Sequence, residues 1–185
     1  MGYVYLYHGT GAGKTTSALG LALRSVGHDR RVVIVQFMKW WTETGEYKIR
    51  ERLRPYYEIR QFGRPGWICR EAIGGEISIG GVSLKVREID EPDKEMARRG
   101  MEFAREALAE RPGLLVLDEI CLAAHMGLVT VEDALSLLSD IPEETDVVLT
   151  GRFAPKELVD RAEFVNEIVS RKAPEKFVTT RGVQF

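Results

Sequence analysis

Residues 8–16 read His-Gly-Thr-Gly-Ala-Gly-Lys-Thr-Thr, directly after the apolar run 3–7 and directly before the helical pattern 18–26. A strand that passes through a glycine-rich turn into a helix start leaves backbone N–H groups unpaired and convergent, and the helix dipole there favours negative charge. This is the setting of a phosphate-binding loop. Gly9, Gly11 and Gly13 let the backbone approach phosphate oxygens, Lys14 reaches them, and Thr15 offers its hydroxyl to a phosphate-bound Mg²⁺. Thr16 caps the helix or touches another phosphate. The unit confines the chain to folds in which a parallel strand feeds a helix. It is also irregular, because the spacing G-x-x-x-x-G-K-S/T counted back from Gly13 puts His8 where the first glycine belongs.

The rest of the chain continues the alternation. Leu19, Ala22, Leu23 and Val26 share a helical face, and 32–37 reads as a buried strand, so a βαβ unit opens the fold. Met96, Gly100, Phe103, Ala104, Ala107 and Leu108 mark one face of a helix over 91–110, followed by the fully apolar strand 114–117. Thr130 and Asp133 have the spacing of a capping box for a helix over 131–139. A strand over 147–150, a helix over 156–161 behind Pro155, and a last strand over 164–169 complete the pattern. Residues 48–54 scatter their charges around a solvated helix. Residues 74–86 alternate with period two around Gly80-Gly81, which predicts an inserted β-hairpin. The expectation is a single α/β domain over 1–185, three-layered and of the P-loop (RecA-like) type, with a mainly parallel central sheet. Ligands in such sheets sit beyond the carboxyl ends of the strands.

Composition narrows the partners. Twenty-six Lys and Arg against 28 Asp and Glu leave no strong field for nucleic acid or an anionic membrane. Cys69 and Cys121 are far apart without metal-ligand spacing and read as unpaired thiols of a reducing compartment. The N-terminus enters a strand without a signal or anchor pattern, so a cytoplasmic location is expected.

Residues 114–119, Leu-Leu-Val-Leu-Asp-Glu, form an apolar strand ending in two carboxylates. Asp118 and Glu119 are thus candidates to hold a metal ion or its water beside the phosphates. Arg152, in Thr150-Gly151-Arg152 at another strand end, is placed to reach the nucleotide. Phe37-Met38-Lys39-Trp40-Trp41 and Phe62-Gly63-Arg64-Pro65-Gly66-Trp67 follow two further strands on the ligand side. Their aromatics either cover a large flat ligand or anchor their loops. His28 and His125 are isolated and structural.

Gly9-x-Gly11-x-Gly13-Lys14-Thr15-Thr16, Gly27-His28, Gln36-Phe37-Met38-Lys39, Leu117-Asp118-Glu119-Ile120, Leu149-Thr150-Gly151-Arg152 and Gly182-Val183-Gln184-Phe185 occur here in an order that resembles the P-loop class of ATP:corrinoid adenosyltransferases. The resemblance runs nearly end to end. It implies the shifted G-x-G-x-G-K-T-T loop, with ATP held reversed so that C5′ of the ribose is the electrophile for a Co(I) corrinoid and tripolyphosphate is the leaving group. Gly9, Thr10, Gly11, Ala12, Gly13, Lys14, Thr15, Thr16 and Arg152 would then contact ATP. Phe37, Lys39, Phe62 and Trp67 would face the corrinoid, Thr15, Asp118 and Glu119 would hold Mg²⁺, and Lys14, Glu119 and Trp67 would carry catalysis. A homodimer and a flavodoxin-like or flavoprotein reductant are implied as partners. The chain departs from the family at Ala12 and Thr10, where lysine and asparagine are frequent, and at Pro65-Gly66-Trp67, where the family has Phe-x-Trp. The alternatives are an ATP-hydrolysing P-loop enzyme and a nucleotide- or corrinoid-binding module without chemistry.

Overall fold

The computed structural model describes residues 2–68, 75–79, 82–174 and 180–183. Its elements run β1 (Val4–His8), α1 (Lys14–Val26), β2 (Val32–Phe37), α2 (Gly45–Lys48), a 3₁₀ turn (Ile49–Arg52), β3 (Tyr57–Phe62), β4 (Trp67–Ile68), β5 (Glu76–Ile79), β6 (Val82–Arg87), α3 (Glu91–Ala109), β7 (Leu114–Asp118), α4 (Ile120–His125), α5 (Val131–Ser139), β8 (Asp146–Gly151), α6 (Lys156–Arg161) and β9 (Phe164–Glu167). Six strands form the main sheet in the order β3-β2-β7-β8-β1-β9, with every pairing parallel.

The strands of the sheet centre are apolar at nearly every position because both faces are covered. Val33, Val35, Leu115, Leu117, Val147 and Leu149 pack with residues of α3, α4, α5 and α6 on one face, while Val32, Ile34, Leu114, Val116 and Val148 pack with α1 on the other. Alternate residues of one strand therefore belong to different layers, as the period of two requires. The three layers and the mainly parallel sheet are those expected.

Several local expectations change. α1 turns Ala18 and Ala22 to the sheet, whereas Leu23, expected on that face, is 59% exposed. Residues 48–54 hold the end of α2 and the 3₁₀ turn rather than one helix, and Pro55 follows directly behind. The last strand stops at Glu167 and lies at the sheet edge with all four residues exposed. α3 opens on a capping box between Asp90 and Asp93. Thr130 accepts from Asp133 N at 3.0 Å at the head of α5, as its spacing predicts.

The expected hairpin exists: β5 and β6 pair antiparallel, and β6 also pairs in parallel with β4 to form a second, three-stranded sheet. Gly74 and the turn Gly80-Gly81 lie outside the described residues, as do Cys69 and the ending Gln184-Phe185. Two ion pairs tie this sheet and its approach to α3: Arg64 with Asp90 at 2.7 Å, and Arg87 with Asp93 through both carboxylate oxygens.

Candidate functional site

The loop after β1 is shaped by its glycines. Gly9 and Gly13 take φ of 107° and 109°, left-handed values that side chains rarely adopt. A Cβ on Gly9 would stand 2.5 Å from Ile168 O, and one on Gly11 2.9 Å from the same oxygen, because the loop lies against the segment after β9. Gly11 N donates to Ile168 O at 2.8 Å, and Ile168 N donates to His8 O at 2.8 Å. His8 is thus the last residue of β1, and its backbone anchors the loop. Gly13, by contrast, faces open space. Thr10, Ala12 and Thr16 are exposed around it.

Lys14 is buried and donates to Gly11 O at 2.6 Å. Burial, assisted by Arg152, pulls its ammonium below the usual lysine range against the opposing pull of Glu119 and Asp118. Arg152 is exposed and close enough to act electrostatically on both Lys14 and Glu119, which places it at the same end of the sheet.

Asp118 ends β7, two strands from β1, with β8 between them. It is 1% exposed and accepts four hydrogen bonds: Oδ1 from Thr15 Oγ1 (2.8 Å) and Thr150 Oγ1 (2.7 Å), Oδ2 from Gln36 Nε2 (3.0 Å) and Lys39 Nζ (2.5 Å). Burial alone would push this carboxyl up, but Lys39 and the hydroxyl donors outweigh it and hold it below the ordinary range. Asp118 does not cap α4. Glu119 occupies the N-cap position, at a left-handed φ of 63° and without a side-chain capping bond, and its N–H donates to Thr150 Oγ1 at 2.9 Å. Burial first, and the charge of Asp118 second, push the Glu119 carboxyl up. Its Oε2 is buried without a hydrogen-bond partner.

A buried carboxylate oxygen left unpaired costs free energy unless something else satisfies it. With the Thr15 hydroxyl and Asp118 nearby, the donors are hard oxygens, the type that Mg²⁺ takes through one or two carboxylates while phosphate and water fill its other positions. The described residues contain no group of three or more His, Cys, Asp or Glu able to enclose a metal by themselves. A divalent ion here would have to share its shell with a ligand.

Thr150 and Gln36 were not singled out as site residues from the sequence, although both occur in the motifs quoted above. Thr150 bridges Asp118 and the Glu119 backbone, and Gln36 braces Asp118 while accepting from Gln61 Nε2 at 3.0 Å. Their signal was a polar residue near the carboxyl end of an apolar strand flanking β7, where a polar group has no reason to be buried unless it is paired.

Phe37 requires a correction. It was expected to face a ligand, but its ring is fully buried in the core, and a Cβ on Gly100 would come within 2.8 Å of it. As the last residue of β2 it falls on the α3-covered face, one position away from Gln36, and the pleat sends the two side chains opposite ways. Lys39, expected toward the same ligand, instead points to Asp118 and Thr15. Phe62 is half-buried, with its ring 5.7 Å from that of Phe103, beside Met38 and Leu128. Trp67 starts β4, its backbone in register with Val86. Gly63 brings the two aromatic loops together, since a Cβ there would lie 2.4 Å from Met38 C and 2.6 Å from Lys39 N.

The family model described as ATP:corrinoid adenosyltransferase BtuR/CobO/CobP matches residues 1–185. The chain is 29% identical to a corrinoid adenosyltransferase of Sinorhizobium sp, over its whole length and 80% of that protein, and 26% identical to one from Escherichia coli, over 99% of the chain and 82% of that protein. It is also 31% identical, over 90% of its length, to an uncharacterized protein of Nostoc sp., of which it spans only 43%. No described helix is long and apolar enough to cross a membrane. From the match along the whole chain it follows that this protein belongs to the ATP:corrinoid adenosyltransferase family, a family of transferases.

Proposed function

We propose that this chain transfers the 5′-deoxyadenosyl group of ATP to the Co(I) centre of a corrinoid and releases tripolyphosphate, in the biosynthesis or salvage of the adenosylated cofactor. The observation that carries the reading is the unpaired, buried Glu119 Oε2 at the end of β7, beside a loop whose open face is Gly13. In the transfer the corrinoid cobalt supplies the electron pair, its bond to C5′ forms, the C5′–O bond breaks, and the electrons leave on tripolyphosphate. The substrate brings its own nucleophile, so the protein's tasks are orientation and charge stabilisation. Lys14 leaves Gly11 O and, with the loop N–H groups, steadies the leaving polyphosphate. Thr15 and Glu119 would hold Mg²⁺, which would supply charge neutralisation at the phosphates, while Asp118 fixes the Thr15 hydroxyl. Arg152 closes on the nucleotide from the end of β8, and Thr10, Ala12 and Thr16 line the rim. Phe62 and Trp67 face the corrinoid, where Trp67 helps to displace its lower ligand and so eases reduction of Co(II). A cytoplasmic homodimer served by a flavodoxin or flavoprotein reductant is the setting.

The test is anaerobic incubation with ATP, Mg²⁺ and chemically reduced cobalamin. An alkyl-cobalt spectrum with stoichiometric tripolyphosphate is expected; ADP and phosphate without spectral change would instead identify a hydrolase. Bound ATP and cobalamin with no product of either kind would identify a binding module. Lys14→Ala loses ATP binding. Trp67→Ala slows the reaction more from Co(II) than from Co(I), and equal losses from both would remove Trp67 from the reduction step.

A further inference from the structure

Asp118 has no lone pair to spare. Two hydroxyls, an amide and an ammonium take up both of its oxygens, so it can ligate a cation only by giving up a donor. Thr15 belongs to α1, Thr150 to β8 and Gln36 to β2, and the packing of those elements fixes all three side chains. Lys39 differs. It follows β2 in a loop, its side chain is 27% exposed, and its flexible stem ends in a charge. Its ammonium also touches the Thr15 hydroxyl at 3.3 Å, so it bridges the hydroxyl and the carboxylate that define one edge of the site.

An ammonium in that position does part of the work of a metal ion, with a single charge. It sits 2.5 Å from Asp118 Oδ2 and 3.3 Å from Thr15 Oγ1, the two oxygens a cation would otherwise draw together. A divalent ion arriving at the Thr15 hydroxyl meets this charge at contact distance, where like charges repel strongly. Lys39 is then expelled from Asp118, which keeps three neutral donors. With Glu119 engaged by the ion, the polyphosphate that accompanies it offers the displaced ammonium a new anionic partner.

We propose that Lys39 is a tethered counter-ion of the nucleotide site: it holds the Thr15–Asp118 edge while the site is empty, gives that edge up to a divalent cation, and moves onto the oxygens of the incoming polyphosphate. The proposal rests on the nucleotide-binding reading above. It removes Lys39 from the corrinoid surface and makes it a residue of the phosphate side.

The experiment reads two affinities with opposite expected signs. Mn²⁺ binding to the nucleotide-free protein is followed by electron paramagnetic resonance, and tripolyphosphate binding, with Mg²⁺ held at a concentration that saturates the metal site, by calorimetry. In Lys39→Met the repelling charge is gone and Mn²⁺ binds about tenfold more tightly, while tripolyphosphate loses a charge-assisted contact and binds about tenfold more weakly. Lys39→Arg keeps the charge and stays near the wild type for tripolyphosphate. Lys14→Ala, whose ammonium rests on a loop carbonyl instead, loses tripolyphosphate without gaining Mn²⁺. Unchanged affinities in Lys39→Met, or both weakened together, would overturn the proposal, since a merely structural lysine gives one of those patterns. Should Lys39→Met fail to fold by circular dichroism, Lys39→Gln retains a donor to Asp118 without the charge, and the same opposite signs are required of it. If the wild type binds no tripolyphosphate, the nucleotide-site reading falls and this proposal falls with it; if the wild type binds and Lys39→Met is unaffected, only this proposal falls.

Discussion

Replacing Asp118 with asparagine keeps the side-chain volume and removes the charge that organises the site. Whichever way the new amide is turned, its NH₂ faces two donors, either Thr15 and Thr150 or Gln36 and Lys39. The Lys39 ammonium loses its carboxylate at the same time. Breaking a buried ion pair by removing one partner typically costs about 3–5 kcal/mol. Asp118 is 1% exposed, but the Lys39 side chain is 27% exposed and can swing toward water, which places the loss near the lower bound; we expect about 3 kcal/mol. With a urea m-value of about 2–3 kcal/mol/M, that lowers the unfolding midpoint by about 1 M. The sign of the pH dependence follows from the depressed Asp118 carboxyl. Its stabilisation is fully present above the ordinary carboxylate range and is lost as pH falls through the lower folded value, so Asp118→Asn should lack that part of the wild type's acid destabilisation. Adding Lys39→Met removes the orphaned ammonium and should return at least about 1 kcal/mol. A midpoint shift of less than about 0.2 M, or a double variant no more stable than Asp118→Asn, would refute the charge-pair account.

Glu119→Gln acts in the opposite direction: a carboxyl whose folded pKa is raised stabilises only at pH below its unfolded value and is a burden at neutral pH. The variant should therefore be about 1 kcal/mol more stable than the wild type at pH 7 in chemical denaturation, while binding Mg²⁺-ATP more weakly; equal or lower stability would count against the burden. Gly63→Ala forces a methyl group within 2.4 Å of Met38 C, and overpacking of this kind should cost about 1–3 kcal/mol in thermal unfolding. Its strain bears on the Lys39 backbone, so nucleotide affinity should fall with it, and an unperturbed variant would mean that the two loops are not in contact. Burial pushes the Cys121 thiol up to about 12, so in a Cys69→Ser background it should resist a thiol reagent at pH 8 until the protein unfolds; rapid native labelling would contradict its burial.

The local order of this chain was legible because its signals are local. Residues 8–16 announce the strand-loop-helix unit through spacing alone, and the apolar runs 32–37, 114–117 and 147–150 all became central strands, since only a sheet covered on both faces needs such sequences. The hairpin at 74–86 was equally plain from its alternation. Leu23 was misplaced because helical spacing marks a stripe without saying which edge of it meets the sheet, and the small Ala18 and Ala22 give the closer approach. Phe37 was misplaced for a related reason: position at a strand end is visible in sequence, whereas the face its side chain takes depends on strand register and on where α3 lies.

Spacing and periodicity were enough to join a glycine-rich loop and an acidic strand end in one α/β fold, because glycine conformation, helix termini and apolar periodicity are properties of short segments. How the two carboxylates of the acidic end are partnered follows from the packing of distant elements. That packing brings β2, β7 and β8 together so that Gln36, Lys39, Thr15 and Thr150 converge on Asp118 and saturate it, while Glu119 Oε2 is left unpaired. Hydrogen-bond saturation depends on residues as far apart in sequence as Thr15 and Thr150, and no local pattern encodes which of two adjacent carboxylates will still have an oxygen free.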